Sequence, residues 1–230
     1  MFAKKLSIGA LLFALSLTVM KAHAGFGLES TRVIFNADSK TESVVAFNTD
    51  KNTNLLVQSW IENENGELTS AFIATPPIFK LRAEQKNTIL ITQNTTLPSD
   101  SDKEALYWLS VKFIAPTDEN NENILRYSVS NKIKIIFRPK SLKNVNLNNE
   151  VKKLTFSKHQ GGILVDNPSK VYINFAEIKL NGHEIIDAPS YISPESKIKI
   201  KTNVSMSDKN KVSVKYINDF GTSYDHVFYF

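Results

Sequence analysis

The sequence predicts an all-β protein with a β-sandwich core. Short runs of β-branched and aromatic residues alternate with breaks rich in Asn and Asp, which is typical of strands joined by turns. Few stretches show the 3.6-residue period of an amphipathic helix. The clearest strands predicted in the first half are Val44–Phe47, Leu55–Val57, Ile89–Ile91, Leu106–Ile114 and Lys132–Phe137.

The segment before these strands is typical of a secretory signal peptide. Residues 1–5 include two lysines, residues 6–20 are almost wholly apolar, and Ala22-His23-Ala24 supplies small residues around a cleavage site. The apolar run of about 15 residues is shorter than the roughly 20 that a spanning helix needs. We therefore expect residues 1–24 to be removed, which leaves an exported chain that begins at Gly25 and has no membrane anchor.

Charge and cysteine content limit the possible partners of the protein and the possible sources of its stability. The chain has 28 Lys and Arg against 23 Asp and Glu, and three of the cations, Lys4, Lys5 and Lys21, belong to the predicted signal peptide. The remaining lysines are scattered, so nucleic acid is not an expected partner. Exported domains are commonly stabilised by disulfides. This sequence has no cysteine, so its stability must come from packing.

A domain boundary is predicted where a strongly alternating strand ends in Arg138-Pro139, because proline cannot continue a central strand. We therefore predict a first domain at residues 25–140 and a second at residues 141–230. Asn181-Gly182 predicts a hairpin turn in the second domain. The other strands predicted there are Leu154–Phe156, Gly162–Val165, Tyr172–Leu180, Lys197–Thr202, Lys211–Ile217 and Val227–Phe230.

No residue constellation in the sequence supports an enzyme or a cofactor. His159, His183 and His226 lie in different segments without metal-ligand spacing, and we interpret them as surface or loop residues. There is no cysteine nucleophile, no Gly-x-Ser-x-Gly elbow and no Gly-rich phosphate loop. Glu62 and Glu64 alternate along a predicted strand and are interpreted as a solvated face. The sequence thus predicts binding without metal, cofactor or catalysis.

Six motifs occur in one fixed order along the chain: Thr31–Phe35, Trp60–Glu64, Ala74–Pro77, Leu97–Pro116, Lys132–Pro139 and Tyr216–Gly221. This set resembles the periplasmic chaperones of the chaperone–usher pilus pathway. The resemblance implies two immunoglobulin-like domains set at an angle, with a cleft between them that receives the C-terminus of a pilin subunit. It also implies delivery of that subunit to an outer-membrane usher.

Arg32 and Lys134 match the two cations of the cleft in that family. The resemblance implies that they hold the terminal carboxylate of the subunit, where charge-assisted hydrogen bonds are roughly twice as strong as neutral ones. Without the surrounding motifs, both would be interpreted as ordinary exposed cations on strands.

Leu125, Tyr127 and Val129 alternate with polar residues at the positions of the family's subunit-binding strand. The resemblance implies that they enter the groove of a pilin that lacks its last strand. The alternative is a half-buried strand that uses these residues in its own core. An exposed apolar edge is normally avoided unless it binds something, so self-association of the free chaperone would also hide it.

Three charged residues match an ion network that links the two domains in the family: Glu104, Arg138 and Asp219. The resemblance also implies a cis peptide bond at Thr75-Pro76. The connection from Pro116 to Asn123 is short and lacks cysteine, which resembles the short-loop branch of the family.

Two other classes of function were weighed against this one. A structural fimbrial subunit or adhesin would need an N-terminal donor extension, and residues 25–30 are too short for one. A sandwich hydrolase or metal enzyme would need convergent catalytic residues, which the sequence does not show.

Overall fold

The computed structural model describes residues 25–95, 102–116 and 128–230. The predicted signal peptide, Leu125 and Tyr127 lie outside the described residues, as does most of the connection after Pro116. In the part of the chain that is described, no helix is long and apolar enough to cross a membrane.

The first half of the described chain forms a β-sandwich of two sheets. One sheet has the strand order β1-β3-β7-β5, and the other has the order β2-β9-β8-β4-β6. β2 runs parallel to β9, and the other neighbours are antiparallel. The strands are β1 (Phe26–Leu28), β2 (Arg32–Asn36), β3 (Thr41–Asn48), β4 (Leu55–Asn63), β5 (Phe72–Thr75), β6 (Ile78–Leu81), β7 (Lys86–Gln93), β8 (Ala105–Ile114) and β9 (Ser128–Arg138).

Alternating burial along these strands builds the core of the first sandwich. β4 begins with buried Leu55 and Val57 on either side of exposed Leu56, which is the period of two expected for a sheet with one face inward. Phe72 lies against Phe35 at 4.8 Å and Tyr107 at 4.9 Å, both in edge-to-face geometry. The core is therefore fastened by aromatic packing rather than by a disulfide.

The second half forms another sandwich. One sheet has the order β10-β11-β15, and the other has the order β13-β12-β16-β17 with β14 also paired to β12. A 3₁₀ turn at Lys140–Leu142 follows β9, and the helix α1 spans Leu147–Val151. The strands are β10 (Thr155–His159), β11 (Gly162–Asn167), β12 (Ile173–Leu180), β13 (His183–Glu184), β14 (Tyr191–Ile192), β15 (Ser196–Lys201), β16 (Lys211–Ile217) and β17 (Ser223–Tyr229).

The turns of the second sandwich follow local sequence rules. Asn181 and Gly182 have φ values of 51° and 88°, and they join Leu180 to His183 in the hairpin predicted from Asn-Gly. Asn146 caps α1, because its side chain accepts a hydrogen bond from the Asn148 amide. The boundary predicted between residues 140 and 141 falls inside the 3₁₀ turn, and it stays a prediction.

The two sandwiches meet at an outward face of the sheet that contains β9. Lys134, Ile136 and Arg138 share this face, because alternate residues of a strand point the same way. Ile136 is buried in one apolar cluster with Leu106 of β8 and Tyr172 of the second sandwich. The interface is thus an apolar patch with one cation of β9 on each side.

The Thr75–Pro76 peptide bond is cis, as the family resemblance implies. It lies between β5 and β6, where the chain passes from one sheet to the other. The Pro76 carbonyl accepts a 2.9 Å hydrogen bond from the Ser59 hydroxyl, and the Pro77 carbonyl accepts one from the Ser59 amide at 2.8 Å. Both carbonyls of this turn are therefore paired with the neighbouring strand.

Gly162 offers a test of the packing of the second sandwich. A Cβ atom at this position would lie 2.0 Å from the carbonyl oxygen of Ile200, which is backbone and cannot move aside easily. We expect Gly162→Ala to lower the free energy of unfolding by about 1–3 kcal/mol or more, measured by urea denaturation. Gly25→Ala, where nothing lies within 4 Å of the added methyl group, is the control. Equal stability of the two variants would contradict the described register of β11 and β15.

Candidate functional site

The candidate site lies where one edge of β9 changes from paired to unpaired. β2 begins at Arg32, directly opposite Lys134, and pairs with β9 from there to Arg138. Residues 128–133 of β9 pair with β8 on one side. On the opposite side, where β2 does not extend, no described strand pairs with them. Residues 128–133 therefore offer unpaired backbone groups to another strand.

Arg32 stands at the end of this open edge. The side chain is half-buried, and within the described structure its Nε and Nη1 atoms are buried without a hydrogen-bond partner. A cavity of about 350 Å³ lies beside it, with Thr31, Asp219 and Phe220 in its wall. Burial lowers the pKa of Arg32, although the charge of Asp219 acts in the opposite direction. A guanidinium with unused donors is suited to an anion that approaches through the cavity.

Lys134 is the second cation, and it faces the second sandwich. Its Nζ donates a 2.7 Å hydrogen bond to Oδ1 of Asn174 on β12. The same nitrogen lies 4.7 Å from the centre of the Tyr191 ring and 5.8 Å from that of the Trp108 ring, both within the range of a cation–π contact. Burial lowers its pKa to about 8, and the neighbouring charge of Arg32 adds to this shift. The lysine is mostly charged at neutral pH, and its contacts with the described residues include no acidic group.

Together these two cations form a candidate site for an anion. They are adjacent across the β2–β9 pairing, and the charge of Arg32 adds to the burial that lowers the pKa of Lys134. An incoming carboxylate would relieve this repulsion and accept the unused Arg32 donors. The structure brings together the pair that the sequence predicted, and their role in carboxylate binding stays a prediction.

Arg138 joins three elements at the other end of the interface. Its Nε donates to Glu104 at 2.7 Å, while Nη1 and Nη2 donate to the two carboxylate oxygens of Asp219 at 2.6 and 3.0 Å. Glu104 precedes β8 in the first sandwich, and Asp219 lies in the turn between β16 and β17 of the second. The planar fork of arginine thus serves one carboxylate in each sandwich.

Glu104 is the most buried member of this network, at 3% exposed, and Arg138 is 5% exposed. The second carboxylate oxygen of Glu104 accepts a 2.7 Å hydrogen bond from the Tyr172 amide. Burial raises the pKa of Glu104 above its usual value, while Arg138 and the Tyr172 amide oppose the shift. The ionised carboxylate therefore depends on its two partners, and it ties the first sandwich to the start of β12.

Glu62 and Glu64, interpreted from the sequence as a solvated face, differ in exposure: Glu64 is exposed and Glu62 is half-buried, and both also accept hydrogen bonds. Glu64 accepts 3.1 Å hydrogen bonds from the Tyr172 and Ser193 hydroxyls of the second sandwich. Glu62 accepts hydrogen bonds from Lys132 and Ser110 in its own sheet. Spacing along one strand could not reveal these partners, because they lie on distant segments.

Val129 is the described member of the predicted subunit-binding strand. It lies opposite Phe113 in the β8–β9 pairing, and it is 41% exposed even though Phe113 is buried. Among the described residues, the core of the first sandwich therefore ends near Val129, and the side chain of Val129 is exposed there. Leu125 and Tyr127 lie outside the described residues.

Metal chemistry has no support in the described part of the chain. No group of three or more His, Cys, Asp or Glu side chains is placed there to hold an ion. His226 instead lies 4.7 Å from the Phe228 ring, edge to face, on β17.

Two family models together match most of this chain. The N-terminal domain model of the PapD pili and flagellar-assembly chaperones matches residues 25–143, and the C-terminal domain model of the PapD pili assembly chaperones matches residues 149–228.

Two curated relatives are similar along almost their full length. The probable fimbrial chaperone LpfB of Escherichia coli O157:H7 is 34% identical over 93% of this chain and 91% of its own. Chaperone protein FimC of E. coli K12 is 30% identical over 93% of this chain and 87% of its own. Among solved structures, the periplasmic chaperone SfaE superposes with a TM-score of 0.73 at 26% identity, covering 89% of this chain and 98% of its own.

Loss of Arg138 should destabilise the protein strongly. Arg138→Met leaves Glu104 buried beside no cation, so we expect the free energy of unfolding to fall by about 3–5 kcal/mol in urea denaturation. Adding Glu104→Leu removes the stranded carboxylate and should recover part of this loss.

The control for this measurement is Lys153→Ala, which breaks a more exposed pair with Glu150 and should change stability by no more than about 1 kcal/mol. If Arg138→Met has as small an effect as Lys153→Ala, the network does not hold the sandwiches together.

Proposed function

The chain belongs to the family of PapD-like pilus-assembly chaperones, and we propose that its open β9 edge and its two cleft cations bind the C-terminal segment of a pilin subunit. Members of this family are chaperones and not enzymes. The two relatives match over 93% of this chain, and both are named as chaperones. The alternative of a structural fimbrial subunit or adhesin is therefore not favoured.

One observation carries the proposal. Arg32 and Lys134 lie side by side at the end of a strand edge that no described strand pairs with, and among the described residues two buried donors of Arg32 have no partner. Desolvated like charges of this kind destabilise the free protein unless an anion joins them. A binding site explains why the fold retains both.

The geometry also selects the direction of the incoming strand. A strand that adds to residues 128–133 occupies the line that β2 follows after Arg32. If it runs parallel to β9, its C-terminal carboxylate reaches Arg32 and Lys134. An antiparallel strand would place its N-terminal side there and leave the cations without an anion. Electrostatics therefore favours the parallel arrangement, with the subunit ending at the cleft.

Anchoring the carboxylate fixes the register of the added strand. A shift by one residue would turn every side chain to the opposite face, so a fixed end determines which side chains meet. Val129 contributes from β9, and Leu125 and Tyr127 are proposed to continue the same row into the groove of the subunit. Strand addition of this kind gives affinity through backbone hydrogen bonds and selectivity through alternate side chains.

The cellular scheme follows from this mode of binding. The predicted signal peptide and the periplasmic relative SfaE support a periplasmic location. There the chaperone would cover the groove of the subunit and pass the subunit to an outer-membrane usher. Self-association of the free chaperone would hide the same β9 edge. The scheme needs no cofactor.

Co-expression with a pilin of the same bacterium tests the assignment. Purification through the chaperone should yield a one-to-one complex, and both Arg32→Ala and Lys134→Ala should reduce the recovered pilin by at least about tenfold. Lys158→Ala, an exposed cation on β10, should behave as wild type.

A peptide probe separates the terminal charge from the rest of the strand. The last twelve or so residues of the pilin, prepared as a free acid and as a C-terminal amide, are titrated against the chaperone. We expect the amide to bind wild type more weakly, and the two Ala variants to lose the difference. Equal binding of acid and amide by wild type, or normal pilin capture by both variants, would overturn the carboxylate assignment.

Binding should also weaken at alkaline pH. The pKa of Lys134 is about 8 in the free protein, and a bound carboxylate favours its charged form. Above pH 8 the complex therefore holds more protons than the free protein, so affinity falls as pH rises, by up to about tenfold per pH unit.

Lys134→Arg is the control for this pH dependence, because arginine stays protonated in this range. Its affinity for the same acid peptide, measured by calorimetry, should be flat from pH 7 to 9. A wild-type profile as flat as that of Lys134→Arg would exclude Lys134 from the binding site.

A further inference from the structure

We propose that Asn174 and Tyr191 of the second sandwich are positioning residues that hold the Lys134 ammonium for the incoming carboxylate. This inference rests on the proposed function, and it adds a role for the second sandwich in the affinity of the cleft. Hereafter the two residues are called the ammonium seat.

The ammonium seat is part of one strand pairing. Asn174 of β12 lies directly opposite Tyr191 of β14. Asn174 is 3% exposed, and its Oδ1 accepts from Lys134 Nζ at 2.7 Å while the Tyr191 ring lies 4.7 Å from the same nitrogen. Two adjacent side chains of the second sandwich thus contact one cation of the first.

Comparison along β9 shows what is unusual about this contact. Lys132 pairs with the carboxylate of Glu62 at 2.7 Å, and Arg138 pairs with the carboxylates of Glu104 and Asp219. Lys134 lies between them on the same strand, and its described hydrogen-bond acceptor is a neutral amide. Lys132 and Arg138 are thus each paired with a carboxylate of the protein itself. The described contacts of Lys134 include no carboxylate.

A neutral acceptor suits a cation that must bind something else. An ammonium group has three N–H donors, and Asn174 takes one without supplying negative charge. The aromatic ring stabilises the charge without taking an N–H donor. The remaining donors and the full charge stay available to a subunit carboxylate. An aspartate at position 174 would instead act as a permanent internal ligand.

Several charged groups surround the Lys134 ammonium, and most of them are already paired with one another. Arg32 on β2 repels Lys134, and Lys132 on its own strand is neutralised by Glu62 of β4. Asp219 in the β16–β17 turn is held by Arg138 and acts on Arg32. Tyr172 and Tyr191 are neutral phenols, because burial raises the pKa of both. Asn174 is a described contact of Lys134 whose substitution changes the surroundings of the ammonium without breaking any of these ion pairs.

Two substitutions of Asn174 test this role with the acid peptide defined above. Asn174→Asp should raise the pH at which affinity begins to fall by about one unit or more, because a neighbouring carboxylate stabilises the ammonium. The same carboxylate competes with the peptide, so affinity at pH 7 should fall by about tenfold. Nearly the same shape is kept, so folding should be preserved.

Asn174→Leu removes the acceptor and should shift the pH dependence in the opposite direction. If the pKa of Lys134 falls by about one unit, affinity drops by about fivefold at pH 8 and recovers most of that loss at pH 6. The NMR shift of the Lys134 side-chain carbon next to Nζ reports the same pKa without any ligand. A merely structural role would lower affinity equally at both pH values.

Controls separate this inference from the proposed function. Asn203→Leu, at an exposed position of the same sandwich, should match wild type. In a Lys134→Arg background, neither Asn174 variant should change the pH dependence. If Arg32→Ala and Lys134→Ala abolish acid-peptide binding while both Asn174 variants keep the wild-type affinity and pH profile, the ammonium seat is disproved and the proposed function stands. If Lys134→Ala itself binds normally, the proposed function fails first.

Discussion

The fork of Arg138 is the interaction on which the rest of the structure depends. It hydrogen-bonds a carboxylate in each sandwich, and one of these, Glu104, also accepts from the backbone at the start of β12. A buried network of this kind gains little net stability over an apolar contact, since desolvation offsets most of the attraction. What it supplies is geometry, because a fork with three occupied donors permits few relative orientations. The position of every residue across the interface follows from that orientation.

The outward face of β9 connects this orientation to the proposed binding site. Arg138 fixes one end of the face, Ile136 fills the apolar middle, and Lys134 reaches the second sandwich at the other end. Glu64 adds a further polar contact through Tyr172 and Ser193. A rotation of one sandwich would therefore move the lysine away from Asn174 and change its charge environment. The relative orientation of the two sandwiches and the charge environment of Lys134 are therefore coupled through β9.

Much of this architecture could be predicted from local sequence. Alternating residues predicted the long strands, and Asn181-Gly182 predicted its hairpin because backbone conformation there depends on those two residues alone. The order of motifs brought Arg32 together with Lys134, and Glu104 with Arg138 and Asp219. The roles of Glu64 and Asn174 could not be found this way. Glu64 follows the end of β4 and Asn174 lies in β12, and each contacts a partner more than 35 residues away along the chain. The short strands β1, β5 and β6 were also missed, since three or four residues show too little alternation to stand out.

The start of β2 sets a length limit for any strand that adds to β9. Residues 128–133 are the open part of the edge, and Arg32 closes it. A tail that is one residue too long cannot keep both its terminal charge at the cations and its pattern of side chains, because successive residues face opposite ways. Tails that differ by two residues keep the pattern but lose or gain one pair of backbone hydrogen bonds. With the carboxylate anchored as proposed, the cleft would discriminate the spacing between a protein terminus and its apolar side chains in steps of two residues.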